Sequence, residues 1–209
     1  PVKAIYSIFN QAPHAFFTLE KNNITGIKDV EGRKVATSPF TSSNAFLPLV
    51  LKENGVAEDA IKLTKADPGA LGPMLMSGST DAIIAWVTNI ALFQDQAEST
   101  GSKLVVLPWN DAGLELYSSS VMASEKFLTE RPDVAKRFLK AFDKSVKFTF
   151  DNPRKAAQAL NSMVPEVDVD VATAQIGDTR MLVVNDVSKR DGMGALTKER
   201  VALTWDWVV

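Results

Sequence analysis

Hydroxyl side chains are concentrated in one short stretch of the sequence, TSPFTSS at residues 37–43. The stretch follows GRKVA, which predicts a short buried strand, and it precedes a predicted helix from Ser43 to Asn54 that is closed by Gly55. A turn of this kind at the carboxyl edge of a parallel sheet directs unpaired N–H groups and the positive end of the helix dipole toward solvent. Hydroxyls placed there can hold an anionic or polar small molecule. The binding candidates in this stretch are Ser38, Thr41 and Ser42.

An ordinary structural role is the alternative for these hydroxyls. Ser42, Ser43 or Asn44 can cap the helix through its side-chain oxygen, since these residue types are favoured at helix N-termini. The remaining hydroxyls would then be ordinary polar side chains of a solvated loop. The sequence leaves both interpretations open.

A second strand-to-helix turn, in IIAWVTNIAL, repeats the arrangement. Trp86 ends a predicted strand, and Thr88 and Asn89 lie at the start of the next helix. An indole at this edge can stack on a flat ligand, although a tryptophan in such a position more often belongs to the core. Trp86 and Asn89 are therefore further binding candidates.

Four more polar or aromatic residues lie near predicted strand ends. Gln11 and His14 occur in NQAPHAF, between two predicted strands, where a single histidine is usually structural or on the surface. GLELY supplies Glu115 as a carboxylate and Tyr117 as a ring. Glu115 can accept hydrogen bonds from an aminopyrimidine-like edge, or it can be a solvated strand residue.

Catalytic and metal chemistry have few residues to use in this chain. Cysteine is absent and His14 is the only histidine, which excludes thiolate nucleophiles, disulfides and cysteine-type zinc sites. The sequence shows no carboxylate pair and no nucleophile beside a base. We therefore expect a protein that is not an enzyme and that has no catalytic residue, cofactor or metal.

Composition narrows the class of protein further. The 209 residues are 45% apolar, enough for a proper core, and the net charge of −2 gives no indication of nucleic-acid or anionic-membrane binding. No stretch approaches the roughly 18 apolar residues of a membrane span, and no leader opens the chain. The first residues predict a strand and the last ones the middle of a helix, so we expect both ends to have been cut.

The elements that position these candidates form two regions. Residues 33–108 alternate strands and helices with short joints, which predicts a parallel α/β sheet covered on both faces. NDAGLELYSSSVMAS predicts one more strand, and helices follow it. Residues 132–150 place apolar side chains at fourfold spacing, and further helices are predicted from Asn152-Pro153, over residues 168–183 and from near Thr197.

The order of these segments resembles a known family, with DVEGRKVA, SGSTDA and ERPDVAKRFLKAF followed by NPRKAA as the most specific parts. It is similar to the SsuA/THI5-like periplasmic solute-binding proteins of ABC importers, which include sulfonate, nitrate and thiamine-pyrimidine-precursor binders and the yeast-type pyrimidine synthases. The resemblance implies an α/β protein with the type II periplasmic binding protein fold. Two lobes would close by a hinge motion on a solute in the cleft between them.

The resemblance also implies a domain arrangement and a site. Residues 28–108 would form the second lobe, and residues 1–27 with 109–209 part of the first, whose N-terminal part is apparently missing. In this family the turns that match SPFTSS and AWVTN face the cleft, which supports the candidates in these two turns: Ser38, Thr41, Ser42, Trp86 and Asn89. The resemblance also places the other four candidates near the crossing strands: Gln11, His14, Glu115 and Tyr117.

The resemblance favours transport as the function. NDAGLELY followed by RDGMG is closer to the pyrimidine-precursor branch, so a thiamine precursor is the favoured solute and a sulfonate or nitrate the alternative. A pyrimidine synthase is a second alternative, against which the absence of its cysteine-rich motif argues, and a sensory or scaffold module is a third. The expected partners are a small solute and a membrane permease, with no nucleic acid, and the expected state is a monomer. The expected location is periplasmic, or exported and membrane-associated.

Overall fold

The structure is a computed structural model that describes residues 1–208, and it divides the chain into two compact units. The sheet unit is Pro13–Glu115, and the helical unit is Pro1–Ala12 together with the described residues from Leu116 onward. These boundaries differ from the predicted lobe boundaries after residues 27 and 108, because residues 13–27 and 109–115 belong with the sheet. The assignment of the units to family lobes stays a prediction.

The strands and the longer helices follow one another in the order that the sequence pattern predicts, and two short helices, at Glu125–Glu130 and Asp186–Asp191, were not predicted. The strands are β1 (Val2–Ser7), β2 (His14–Leu19), β3 (Lys34–Thr37), β4 (Lys62–Lys65), β5 (Ala82–Trp86), β6 (Leu104–Pro108) and β7 (Ser120–Ser124). The α-helices are α1 (Ser42–Glu53), α2 (Pro68–Ser77), α3 (Ile90–Ser99), α4 (Glu125–Glu130), α5 (Pro132–Asp151), α6 (Pro153–Met163), α7 (Val169–Thr179), α8 (Asp186–Asp191) and α9 (Lys198–Val208). Short 3₁₀ helices lie at Glu20–Asn22, Ile27–Val30, Glu58–Ala60, Val87–Asn89 and Arg180–Leu182.

The five strands of the sheet unit are arranged in the order β4-β3-β5-β2-β6. β3 pairs in parallel with β4 and β5, as predicted. The strands within residues 33–108 all run in one direction, as predicted for that range. β2, which precedes the range, is inserted between β5 and β6 and runs antiparallel to both. All six residues of β2 are buried, as a central strand covered on both faces requires.

The core of the sheet unit is built largely from aromatic and branched side chains. Phe16, Phe17 and Ile83 have no exposed surface. The Phe17 ring packs edge to face on Phe93, with centroids 5.0 Å apart, while Phe16 lies 5.2 Å from the buried ring of Trp109. Contacts between aromatic rings thus contribute to the packing of the sheet unit.

The helical unit has a two-stranded sheet and most of the helices. β1 and β7 pair antiparallel, and α5 confirms the helix predicted from fourfold apolar spacing. The strand predicted for NDAGLELYSSSVMAS is right only in its last five residues. Turns occupy residues 110–113, where Gly113 has a φ of +101°, and residues 114–118 have no regular structure. Within residues 1–208, no helix combines the length and apolarity needed to cross a membrane.

Helix ends in the helical unit follow local capping chemistry. The Asp168 side chain accepts hydrogen bonds from the N–H groups of Asp170 and Val171 and thereby caps α7. The predicted helix over 168–183 ends earlier as an α-helix, at Thr179, and continues as 3₁₀ to Leu182. The Thr197 hydroxyl accepts the N–H of Arg200 at 3.3 Å, so α9 begins where the sequence predicts.

Candidate functional site

A cavity of about 230 Å³ lies in the sheet unit where β3 and β5 end and three helices begin. Its lining residues are Ser38, Pro39, Thr41, Ser43, Pro68, Leu71, Ile84, Ala85, Trp86, Asn89 and Phe93. The carboxyl ends of parallel strands and the N-termini of the following helices meet at such an edge, which is where α/β sheets bind ligands.

The N-terminus of α1 forms one wall and has no side-chain cap. Thr41 is the N-cap residue with an extended backbone, yet its side chain makes no capping hydrogen bond, and the first turn contains no acidic residue. The Thr41 hydroxyl instead donates to the carbonyl of Ser38 at 3.3 Å, and the Asn44 amide donates to the same carbonyl at 3.0 Å. The prediction that Ser42, Ser43 or Asn44 caps this helix is wrong, so the first-turn N–H groups have no side-chain cap.

The N-terminus of α3 forms a second wall. β5 ends at Trp86, as predicted, and the 3₁₀ turn Val87–Asn89 leads into the helix. Asn89 is the N-cap residue, but its side chain makes no capping hydrogen bond, and the first turn contains no acidic residue. Two helix N-termini whose N-cap side chains make no capping hydrogen bond therefore line the cavity, each with partial positive charge. Some of their N–H groups already have backbone acceptors, since Asn44 donates to the Thr41 carbonyl at 3.1 Å and Ile90 donates to the Val87 carbonyl.

The N-terminus of α2, the third helix at the cavity, is capped by a side chain. The Asp67 carboxylate caps α2 by accepting the N–H of Gly69 at 2.9 Å. Among the described residues, those that line the cavity carry no formal charge. A bound anion would thus be held by hydroxyls, amides and helix dipoles, with Trp86, Ile84 and Phe93 supplying apolar surface.

His14 and Ser42 form a pair that does not line this cavity. The Nε2 atom of His14 lies 2.9 Å from the Ser42 hydroxyl. The imidazole stacks on Trp109 at 5.5 Å and meets Trp86 edge-on at 6.0 Å. Burial lowers the pKa of His14 to about 4, so the ring is neutral at neutral pH and is a poor base for the Ser42 hydroxyl.

The structure separates the nine predicted site residues into groups. It brings Ser38, Thr41, Trp86 and Asn89 to one cavity and pairs His14 with Ser42. Glu115 is exposed at the end of the sheet unit and is not among the lining residues.

The other two predicted site residues, Gln11 and Tyr117, belong to the helical unit. Gln11 is half-buried. Tyr117 is buried, where its hydroxyl accepts the N–H of Thr197 at 3.0 Å and its own N–H donates to Thr204 at 2.9 Å. The Tyr117 contacts attach α9 to its unit, and a ligand role for either residue stays a prediction.

Sequence reasoning missed the apolar part of the cavity. Pro68 and Leu71 come from α2, whose start in ADPGAL is a third strand-to-helix turn of the same kind. That repetition was a usable signal for Pro68. Phe93 gave no signal, because its place on the cavity depends on how α3 packs against the sheet.

The family is decided by a match over most of the chain. Residues 1–156 match the family described as NMT1/THI5 like. The chain belongs to this family. The resemblance stated from sequence motifs is thereby confirmed at the family level.

Two relatives carry different functional names. A proposed thiamine biosynthesis protein of Haemophilus influenzae is 24% identical over 166 residues, which cover 79% of this chain and 51% of that protein. A proposed aliphatic sulfonates-binding protein of Bacillus subtilis is 27% identical over 164 residues, which cover 78% of this chain and 47% of that protein. The chain thus spans about half the length of these two relatives.

A solved structure supports the fold. The periplasmic aliphatic sulphonate binding protein SsuA from Escherichia coli matches with a TM-score of 0.74 at 17% identity, over 99% of this chain and 66% of that chain. At this identity the match shows the fold alone. The predicted type II periplasmic binding protein fold, a mixed α/β architecture, is confirmed.

Proposed function

We propose that this NMT1/THI5-like chain is part of the solute-binding component of an ABC importer, and that the sheet-unit cavity holds the polar or anionic head of the solute. The single observation that carries the proposal is the meeting of two uncapped helix N-termini, those of α1 and α3, at one uncharged cavity. The helix dipole, with those first-turn N–H groups that point into the cavity, makes such termini anion-binding positions. The Ser38 hydroxyl adds a donor at the same place, and the Thr41 hydroxyl adds a second one when its proton turns from the Ser38 carbonyl to the solute.

We favour a sulfonate-type anion over the pyrimidine precursor that the sequence favours. An aminopyrimidine needs an acceptor for its amino group, and the predicted acceptor, Glu115, does not line the cavity with Trp86. A sulfonate needs only donors, which the two helix N-termini supply. The name of the Bacillus subtilis relative supports the same solute class.

A pyrimidine thiamine precursor is the second candidate. Trp86 lies half-buried on the cavity wall, where its indole can stack on a ring. The name of the Haemophilus influenzae relative supports this solute class. We propose no catalytic step, and we propose a periplasmic monomer that delivers its solute to a membrane permease.

Calorimetric titration of the full native protein with methanesulfonate and with a formylaminopyrimidine would test the proposal. We expect micromolar binding of the sulfonate, weakened about tenfold in Ser38→Ala or Thr41→Val through lost hydrogen bonding. Ser79→Ala is the matched control, because Ser79 is exposed after the far end of α2. Trp86→Ala should weaken a ring-bearing ligand most.

Each other outcome has a definite meaning. Saturable binding of the pyrimidine alone would move the assignment to the second candidate. An unchanged affinity in Ser38→Ala and Thr41→Val would remove the cavity from the site. Failure of the native protein to bind either compound would refute the proposed solute classes.

A further inference from the structure

Phe40 combines an exposed ring with a strained backbone. Its side chain is fully exposed, at 104% relative accessibility, and its φ is +58°. In residues 1–208, apart from glycines, the left-handed region is occupied by Asn23 and Phe40. Asparagine tolerates this region, whereas a bulky residue with a Cβ atom adopts it at a cost in free energy.

The residues around Phe40 are fixed in place. Pro39 has its φ set by its own ring, and Thr41 is tied to the Ser38 carbonyl by its hydroxyl. Pro39 and Thr41 both line the cavity, whereas Phe40, between them, does not. With both neighbours held, rotation about the side-chain bonds of Phe40 moves its ring relative to the cavity mouth, and any relaxation of its backbone must also shift Pro39 or Thr41.

Both features of Phe40 are unfavourable in the structure as it stands. A ring in water gains nothing from burial, and left-handed backbone at a phenylalanine is strained. Strain of this kind is concentrated at active sites, ligand clamps and switch regions, where it is part of the mechanism. The turn that carries the strain is the turn that forms the polar wall of the cavity.

We propose that Phe40 is a specificity-determining residue whose ring folds over the cavity mouth and packs on the apolar body of the solute. The inference rests on the proposed function and narrows its solute class. The solute has a polar or anionic head, held at the α1 and α3 N-termini, and an aromatic or alkyl body that Phe40 covers. A bare inorganic anion such as nitrate or sulfate would leave the ring unused.

The test compares methanesulfonate, which has almost no body, with benzenesulfonate, which shares its head. The native protein should bind benzenesulfonate about tenfold more tightly, the order expected for an added aromatic contact. In Phe40→Ala and Phe40→Gly this ratio should fall to about twofold or less. Leu63→Ala, which removes an exposed apolar side chain from β4, is the control and should keep the native ratio.

The two Phe40 variants also separate strain from contact. Both lack the ring, but only glycine adopts the left-handed region without strain. Phe40→Gly should therefore melt about 2–4 °C above Phe40→Ala in the absence of any solute. Equal melting temperatures would show that the turn is unstrained and would remove one of the two observations behind the inference.

Failure of the inference differs from failure of the proposed function. A native affinity ratio retained in Phe40→Ala would overturn the role of Phe40 while leaving the cavity as the anion site. If the native protein binds only the formylaminopyrimidine, the same variants are titrated with it, and an unchanged affinity overturns the inference. Absence of binding to all three compounds would remove the proposed function and the inference together.

Discussion

The two units of the molecule treat their apolar side chains differently. The sheet unit buries most of its large apolar residues fully or in part, with Phe40, Leu63 and Leu92 as the exposed ones among its described residues. The helical unit exposes many more of them. The exposed large apolar residues of the helical unit are Val2, Met122, Phe138, Phe148, Leu160, Met163, Val164, Val171, Met181, Val201, Leu203, Trp205 and Val208.

The difference follows from the elements that build each unit. A five-stranded sheet presents two broad faces, and its interior strand β2 is buried throughout. A two-stranded sheet such as β1 with β7 offers little surface, and α5 and α6 each bury a single alanine. The cavity therefore lies in the unit with the better-packed core, where a rigid scaffold can hold uncapped helix ends in place.

The largest expected difference between the two units is in the stability lost when a phenylalanine is replaced by alanine in each of them. Phe16→Ala, in the core of the sheet unit, should lower the free energy of unfolding by about 3–5 kcal/mol. Phe138→Ala, 51% exposed and stacked on Phe142 at 5.9 Å, should lower it by about 1 kcal/mol or less. Urea unfolding followed by circular dichroism measures both. Equal losses would end the distinction between the two units.

A second prediction concerns the tightest contact of the helical unit. A Cβ atom at Gly194 would overlap the ring of Tyr6, which is held by Phe142 at 5.3 Å and by a 3.1 Å hydrogen bond to Asp143. Gly194→Ala should cost about 3 kcal/mol, from overlap and from its φ of +76°.

Gly32→Ala separates those two causes. Gly32 has a φ of +75° but nothing within 4 Å of the added atom, so it should cost only about 1 kcal/mol. If both alanine variants lose the same stability in urea unfolding, the contact with Tyr6 is not tight. The larger loss at Gly194 would show that the helical unit is closely packed at this one place despite its apolar surface.

A third prediction uses the only histidine as a reporter for the sheet unit. Burial lowers the pKa of His14 from 6.5 to about 4, so between these values the unfolded chain binds more protons than the folded one. Stability is complete above pH 6.5 and is lost as the pH falls toward 4. From pH 7 to pH 5 the native protein should lose about 2 kcal/mol more than His14→Gln does. The same loss in both proteins would mean that the ring is not buried as described.

Local patterns predicted the longer helices and the common direction of the strands within residues 33–108, but not the position of β2. The fourfold apolar spacing of α5 and the glycine after α2 are properties of neighbouring residues, so the sequence shows them directly. The place of β2 between β5 and β6 depends on residues far along the chain. Its apolar run, HAFFTL, indicates a buried strand without naming its partners.

The candidate site divides in the same way. The strand-to-helix turns predicted a polar edge, and the structure brings Ser38, Thr41, Trp86 and Asn89 to one cavity there. Ser42 points elsewhere, to His14, because successive helical residues are rotated by about 100° and adjacent hydroxyls cannot share one direction. Helical phase and the backbone of Phe40 require coordinates, so neither the Ser42 pair nor the exposed ring was predictable.

The position of β2 also sets an order for making the protein. Thr18 pairs with Ala82 on one side and with Val105 on the other, so both neighbours of β2 are synthesised long after it. A nascent chain therefore carries an apolar strand without partners until β6 has left the ribosome. The sheet unit can complete its core only near the end of its own translation, and until then HAFFTL is the segment most exposed to aggregation or to capture by a chaperone.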